Sequence, residues 1–245
     1  MRIGFDLDGV LADLHTAFAR TAKQLYPELD DAAIESGDIG SSPPDTSDGQ
    51  AAVEEAPPAP EQDVPLSRQQ SDAVWAHLEA MENFWETLGE IEPGAIRRLA
   101  QLAEDRRWEV IFITSRPNSA GLTVQRQSQR WLRQLGFDLP SVFVVHGSRG
   151  RVCDALRLDV LVDDRPDNCL DVVLESKAGA ILVWRGTKAS VPVSARRLGI
   201  AVVSTVNAAL DAIVEAEKPG ADGGLLDRLR RLFGLKTGPS ASPFR

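Results

Sequence analysis

The chain has 245 residues, 43% of them hydrophobic and 26% charged, with a formal net charge of −9. That length holds one sizeable α/β domain with a smaller accessory part, and the composition is that of an ordinary globular protein. The negative balance disfavours duplex nucleic acid, and no apolar run approaches the ~20 residues that span a bilayer. Cys153 and Cys169 make no disulfide framework.

The first predicted strand, Arg2 to Phe5, begins almost at once, with no basic-then-apolar leader before it. Together with the sparse cysteines this points to a cytoplasmic location. A helix follows the strand. Ser36 to Pro65 is rich in Ser, Pro, Asp, Glu, Gly and Ala and is nearly devoid of large apolar residues. Such a segment buries too little surface to offset its ordering entropy, so it reads as a disordered loop. Leu66 to Leu88 resumes a helical pattern carrying Val74, Leu78, Met81, Phe84 and Trp85.

Past Pro93, Gly94 to Asp105 places Ile96, Leu99, Leu102 and Ala103 at helical spacing. Glu109 to Ile113 reads as a strand, and Val124 to Leu135 as a helix closed by Gly136. Further strands are Val142 to Val145, Val160 to Val162, Ala180 to Trp184 and Ile200 to Val203. Pro219 to Gly224 reads as a linker. Leu225 to Leu235 forms an amphipathic helix that docks on its own domain or meets a partner or membrane surface. Strands alternating with helices predict an α/β fold, a three-layer doubly wound parallel sheet with a small helical cap inserted after the first strand. The expected division is a core of 1–26 and 88–216, a cap of 27–87, and a linker with C-terminal helix at 217–245.

The chemistry-bearing residues follow the carboxyl ends of these strands, where open α/β sheets bind ligands. Asp6 and Asp8 follow the first strand, Thr114, Ser115 and Arg116 the second, and Asp163, Asp164 and Arg165 the fourth. Arg149 and Arg151 lie beyond the third. Converging carboxylates need a cation, and hard oxygen donors favour Mg²⁺. Hydroxyl and guanidinium donors suit phosphate oxygens. One carboxylate can attack phosphorus, while a second moves the proton of the leaving oxygen.

Three segments carry a resemblance: Asp6-Leu7-Asp8-Gly9-Val10, Val110-Ile111-Phe112-Ile113-Thr114-Ser115, and Val160-Leu161-Val162-Asp163-Asp164. In type, order and spacing they resemble the motifs of the haloacid dehalogenase superfamily. Asp8 to Asp13, Thr114-Ser115-Arg116-Pro117 and Asp163-Asp164-Arg165-Pro166 look most like its cytosolic-type 5'(3')-deoxyribonucleotidase branch. The resemblance covers roughly residues 1–26 and 85–190. It implies a Mg²⁺-dependent phosphomonoesterase working through an aspartyl phosphate on a small phosphorylated substrate, with a nucleoside monophosphate the leading choice.

Residue by residue, the resemblance implies Asp6 as nucleophile and metal ligand, and Asp8 as general acid/base lending its carbonyl to the metal. Thr114, with Ser115, holds the phosphoryl group. Asp164 is the second metal ligand, with Asp163 as ligand or water-holder. The family's bridging Lys is absent; Arg149 is best placed to replace it, with Arg151 as runner-up.

Single acids also cap helices or close turns, as Asp8, Asp13 or the Asp163-Asp164 pair could. Three motifs in order after three strands favour the catalytic reading. Arg116 and Arg165 line the phosphate site or pair with local acids. His15 reads as a helix-face residue, and Trp75, Phe84, Trp85, Trp131 and Trp184 as core. The alternative function is a catalytically weak regulatory or phosphate-binding protein acting through its acidic loop and C-terminal helix. A receiver-type signalling domain would place its acid pair after the first strand, which is not the order here. The sequence leaves oligomeric state open.

Overall fold

A computed structural model describes residues 1–28, 66–218 and 225–234. The expected loop 36–65 and linker 219–224 lie outside the described residues. In chain order the elements are β1 (Arg2–Asp6), α1 (Leu14–Leu25), α2 (Arg68–Ala80), α3 (Ala95–Arg106), β2 (Glu109–Thr114) and α4 (Val124–Gln134). They continue with β3 (Ser141–Val144), α5 (Arg149–Leu156), β4 (Val160–Asp163), α6 (Pro166–Glu175) and β5 (Gly179–Val183). The last are α7 (Val193–Arg197), β6 (Ala201–Val203), α8 (Val206–Glu217) and α9 (Leu225–Leu232). The described chain divides into two units. One is Met1–Ala12, Glu90–Thr114 and Leu132–Arg245; the other is Asp13–Gly89 and Ser115–Trp131.

The first unit holds a six-stranded sheet in the order β3-β2-β1-β4-β5-β6, with every pair parallel. The strands are apolar on both faces because helices flank a parallel sheet on both sides. Ile3, Phe5, Phe112, Ile113, Leu161 and Leu182 are fully buried, each contributing about 1.5–3 kcal/mol. At Gly4 a Cβ would stand 2.7 Å from Leu161 Cδ1 and 2.8 Å from Leu158 Cδ1, so only glycine fits there without repacking.

The chain runs outward from β1 to β2 and β3, then returns to β4 on the other side of β1. Such a reversal opens a crevice where the connections leave for opposite faces. Here it falls at the carboxyl ends of β1 and β4, which pair as Ile3 with Val160, Gly4 with Leu161 and Phe5 with Val162.

The strands match the sequence expectation to within a residue or two at each end. Two helical segments do not, and a third helix was not read at all. Leu66 to Leu88 is not one helix: α2 starts on a capping box in which Ser67 and Gln70 bond reciprocally, and it stops at Ala80. Only a 3₁₀ turn at Phe84–Glu86 follows, because Asn83 takes a left-handed φ of 55°. Arg149, which the sequence placed only beyond the third strand, begins α5, capped by Ser148 Oγ accepting from the Arg151 N–H at 3.0 Å. The C-terminal helix ends at Leu232 and packs on α8, with Leu229 buried and the Arg228 guanidinium donating to the carbonyls of Ala216 and Lys218.

The second unit has its own aromatic core. Phe18 and Trp75 rings lie 5.4 Å apart, and Phe84 and Trp85 rings 4.8 Å apart. The Trp131 indole N–H donates to Leu88 O at 2.7 Å. Asp13 caps α1, its Oδ1 accepting from the Thr16 N–H at 3.0 Å. Among the described residues, no helix is long and apolar enough to cross a membrane.

Candidate functional site

Asp6 is the last residue of β1 and Asp163 the last of β4, so parallel pairing sets the two side by side at the crevice. Both are buried, Asp163 completely. The Asp163 carboxylate is held by the Arg165 N–H at 2.8 Å and by Asn168 Nδ2 at 3.1 and 3.0 Å.

Arg149 reaches the same place from the first turn of α5. Its Nη2 donates to Asp6 Oδ1 at 3.1 Å and its Nη1 to Val145 O at 3.3 Å. Its Nε lies 4.0 Å from Asp163 Oδ2, too far for a hydrogen bond, and has no acceptor among the described residues although the side chain is only 4% exposed. Arg151 is far more exposed and pairs with Glu175 at 3.3 Å. Of the two candidates, Arg149 is therefore the one at the carboxylates.

Asp8 stands two residues beyond β1, half-buried, with Thr114 Oγ1 donating to its Oδ2 at 3.3 Å. Thr114 is itself the final residue of β2 and is 1% exposed. Gly9 has φ +79°, and a Cβ there would fall 1.9 Å from Asp164 Oδ2. Any larger residue would both strain the turn and expel the Asp164 carboxylate.

Burial dominates the electrostatics. It pushes the Asp6 carboxyl well above its usual range, reinforced by repulsion from Asp163, Asp164 and Asp8 and opposed by Arg149. Asp163 is also raised by burial, against the pull of Arg149 and its hydrogen bonds from Arg165 and Asn168. Asp164 is raised to about 7, first by burial and then by Asp163, with Arg185 opposing. Arg149 is in contact with Asp6, while Arg165 and Arg185 also oppose the burial and repulsion that raise these carboxyls. Among the described residues, no group of three or more His, Cys, Asp or Glu side chains closes on one point as a metal cage. The donor set suits Mg²⁺, which keeps several waters and needs only one or two protein carboxylates.

Ser115 belongs to the second unit and is half-buried. Arg116, in that unit, packs among aromatic rings. It is 2% exposed, with its guanidinium 4.7 Å from the Trp85 ring and 5.6 Å from the Trp131 ring, and it donates to Ser128 Oγ at 2.9 Å. Arg165 contributes its backbone N–H to Asp163 while its side chain is exposed. His15 is exposed, and Trp75, Phe84, Trp85 and Trp131 are core residues as expected. Trp184 is half-buried and turns its N–H toward Thr187 O and Ser190 Oγ.

Sequence reasoning missed Arg185. It stands two residues beyond β5, after Trp184, so the rule that selected the other strand-end residues would have reached it.

No protein-family model matches the chain, and no curated protein sequence matches it. Solved structures do. A hydrolase from Pseudomonas syringae is 15% identical over 89% of this chain and 100% of its own, with a TM-score of 0.49. A HAD hydrolase, family IA, variant 3, from Entamoeba histolytica is 12% identical over 94% of this chain and 99% of its own, with a TM-score of 0.46. A proposed beta-phosphoglucomutase from Thermotoga maritima is 18% identical over 87% of this chain and 98% of its own, with a TM-score of 0.51. That last likeness, over nearly the whole of both chains, gives this protein the same α/β fold.

Proposed function

We propose that the chain is a phosphomonoesterase of the haloacid dehalogenase superfamily that works through an aspartyl phosphate at Asp6. The observation that carries this reading is Arg149. Its buried guanidinium bridges toward Asp6 and Asp163 and keeps one N–H without an acceptor among the described residues. A buried unpaired donor is costly, and a phosphoryl oxygen would satisfy it.

In this reading the Asp6 carboxylate attacks phosphorus, forms the P–O bond of the aspartyl phosphate and displaces the substrate's alcohol oxygen. Asp8 gives that oxygen a proton, then takes one from the water that hydrolyses the acyl phosphate. Thr114 Oγ1 and Arg149 hold the phosphoryl oxygens. Ser115 is retained as an additional phosphate donor.

Burial works against the ionised form of Asp6 that the attack requires. Arg149 supplies part of the opposing charge. Asp6, Asp164 and the Asp8 carbonyl would hold Mg²⁺, which supplies further positive charge to the phosphoryl group when bound. Asp163, with its oxygens taken by Asn168 and the Arg165 N–H, serves best as the buried support beside that ligand set.

The expected substrate is a small phosphomonoester. The motif resemblance favours a nucleoside monophosphate, and the fold neighbour named as a beta-phosphoglucomutase keeps sugar phosphates beside it. The insertion after β1 is read as the cap that selects among them. The test is a phosphomonoester panel with and without Mg²⁺, run beside Asp6→Asn. Mg²⁺-dependent turnover lost in the variant supports the reading. Turnover that survives the substitution refutes the mechanism, and silence across the panel favours a regulatory phosphate-binding role.

A further inference from the structure

We infer that Arg185 is the positioning residue for Asp8: its guanidinium holds two successive carbonyls of the turn on which Asp8 stands. The hold is read from geometry; only what Asp8 does rests on the phosphatase reading.

The Leu7–Ala12 turn is almost entirely buried, with Leu7, Val10, Leu11 and Ala12 at most 1% exposed. Its N–H groups find partners inside the turn. Gly9 N–H donates to Ala12 O at 3.1 Å, and those of Leu11 and Ala12 donate to Leu7 O at 2.8 and 2.7 Å. The carbonyls of Gly9 and Val10 are met from outside, by Arg185. Nη1 donates to Gly9 O, and Nη2 to Val10 O at 3.2 Å. Without the guanidinium, both carbonyls of the turn lose their side-chain donor.

The guanidinium is itself anchored. Its Nη2 also meets Glu92 Oε1 at 3.2 Å. Glu92 in turn caps α8, accepting from the Val206 N–H at 2.6 Å, the Asn207 N–H at 3.0 Å and Asn207 Nδ2 at 3.0 Å. The turn is therefore gripped from two sides. Arg185 fixes its carbonyls, and the Asp164 carboxylate fills the space against Gly9 where a Cβ would stand. Two carbonyls on adjacent residues match a planar fork, whereas an ammonium is a single point charge. The Arg185 charge also opposes the repulsion that Asp164 feels from Asp163.

Releasing this grip lets Asp8 drift while the phosphate donors Thr114 and Arg149 stay in place. The expected signature of Arg185→Gln is a kcat about 10–100-fold lower with KM changed by no more than about threefold, measured on p-nitrophenyl phosphate with Mg²⁺. Arg185→Lys should fall between wild type and Arg185→Gln, and guanidinium ion should partly restore Arg185→Ala.

Amide hydrogen exchange on the full chain supplies an independent readout. Exchange at Gly9, Leu11 and Ala12 should accelerate in Arg185→Gln while β1 amides stay protected. Wild-type kcat in Arg185→Gln, or unchanged exchange in the turn, overturns the assignment. If the wild-type chain turns over no phosphomonoester, the phosphatase reading fails while the exchange comparison still decides whether Arg185 holds the turn. If Arg185→Gln does not fold, Arg185→Lys carries both measurements.

Discussion

Asp164→Asn should stabilise the cation-free protein at neutral pH, although it removes a proposed metal ligand. Asp164 titrates at about 7 in the folded chain against an ordinary 3.8, chiefly because it is buried and then because Asp163 repels it. A raised folded pKa means that the folded chain binds the proton more tightly than the unfolded chain does. The associated stability is fully present below the unfolded pKa and is lost as pH rises from 3.8 to about 7. The full shift corresponds to about 4 kcal/mol. In a chain of this size each 1 kcal/mol moves Tm by about 2–4 °C. An Asn cannot ionise and keeps nearly the same shape against Gly9. In chelator, the two proteins should melt together near pH 4 and diverge above it. By pH 8 the variant should lead by at least about 5 °C. Adding Mg²⁺ should narrow that gap by stabilising the ionised wild type. Differential scanning calorimetry from pH 4 to 8 reads this directly. A variant that tracks wild type at every pH, or melts below it at pH 8, would falsify the electrostatic account of the cluster.

Arg149→Met breaks the buried pair with Asp6 at 3.1 Å, an event that typically costs about 3–5 kcal/mol. Asp6 can take up a proton instead, so thermal unfolding should show a smaller loss of about 1–3 kcal/mol. Steady-state assays should show turnover reduced by at least about 100-fold, and less so in Arg149→Lys. In Gly150→Ala the new Cβ would meet Asp171 O at 2.4 Å and Glu175 Cβ at 2.7 Å, forcing α5 off α6. Urea denaturation should report a loss of about 1–3 kcal/mol. Trp131→Phe strands Leu88 O, which accepts the indole N–H at 2.7 Å. The same assay should show a loss of about 1–3 kcal/mol.

The sheet was legible because each strand is a short apolar run of mostly β-branched and aromatic residues ended by a polar residue, as in Ile111-Phe112-Ile113-Thr114. The same endings exposed Asp6, Thr114, Asp163 and Asp164, since strand ends lie together at the carboxyl edge. Arg149 was found as a residue, without the helix that it begins. Gly147 and Gly150 weaken the helical signal around it, yet Gly150 is needed inside α5 for its close approach to α6. Arg116 was invisible as a buried group because its companions Trp85, Ser128 and Trp131 are distant in sequence or hidden in a helical pattern. Arg185 belongs to no motif. Its meaning comes from Gly9 and Val10, some 175 residues earlier in the chain.

The central claim is that Asp6 carries the phosphoryl group, and acid quench during turnover followed by peptide mass mapping tests it most directly. A peptide containing Asp6 should carry the mass of one phosphoryl group, sensitive to hydroxylamine and absent from Asp6→Asn. Rapid turnover with no phosphorylated Asp6 peptide, or with the label on another residue, would contradict it.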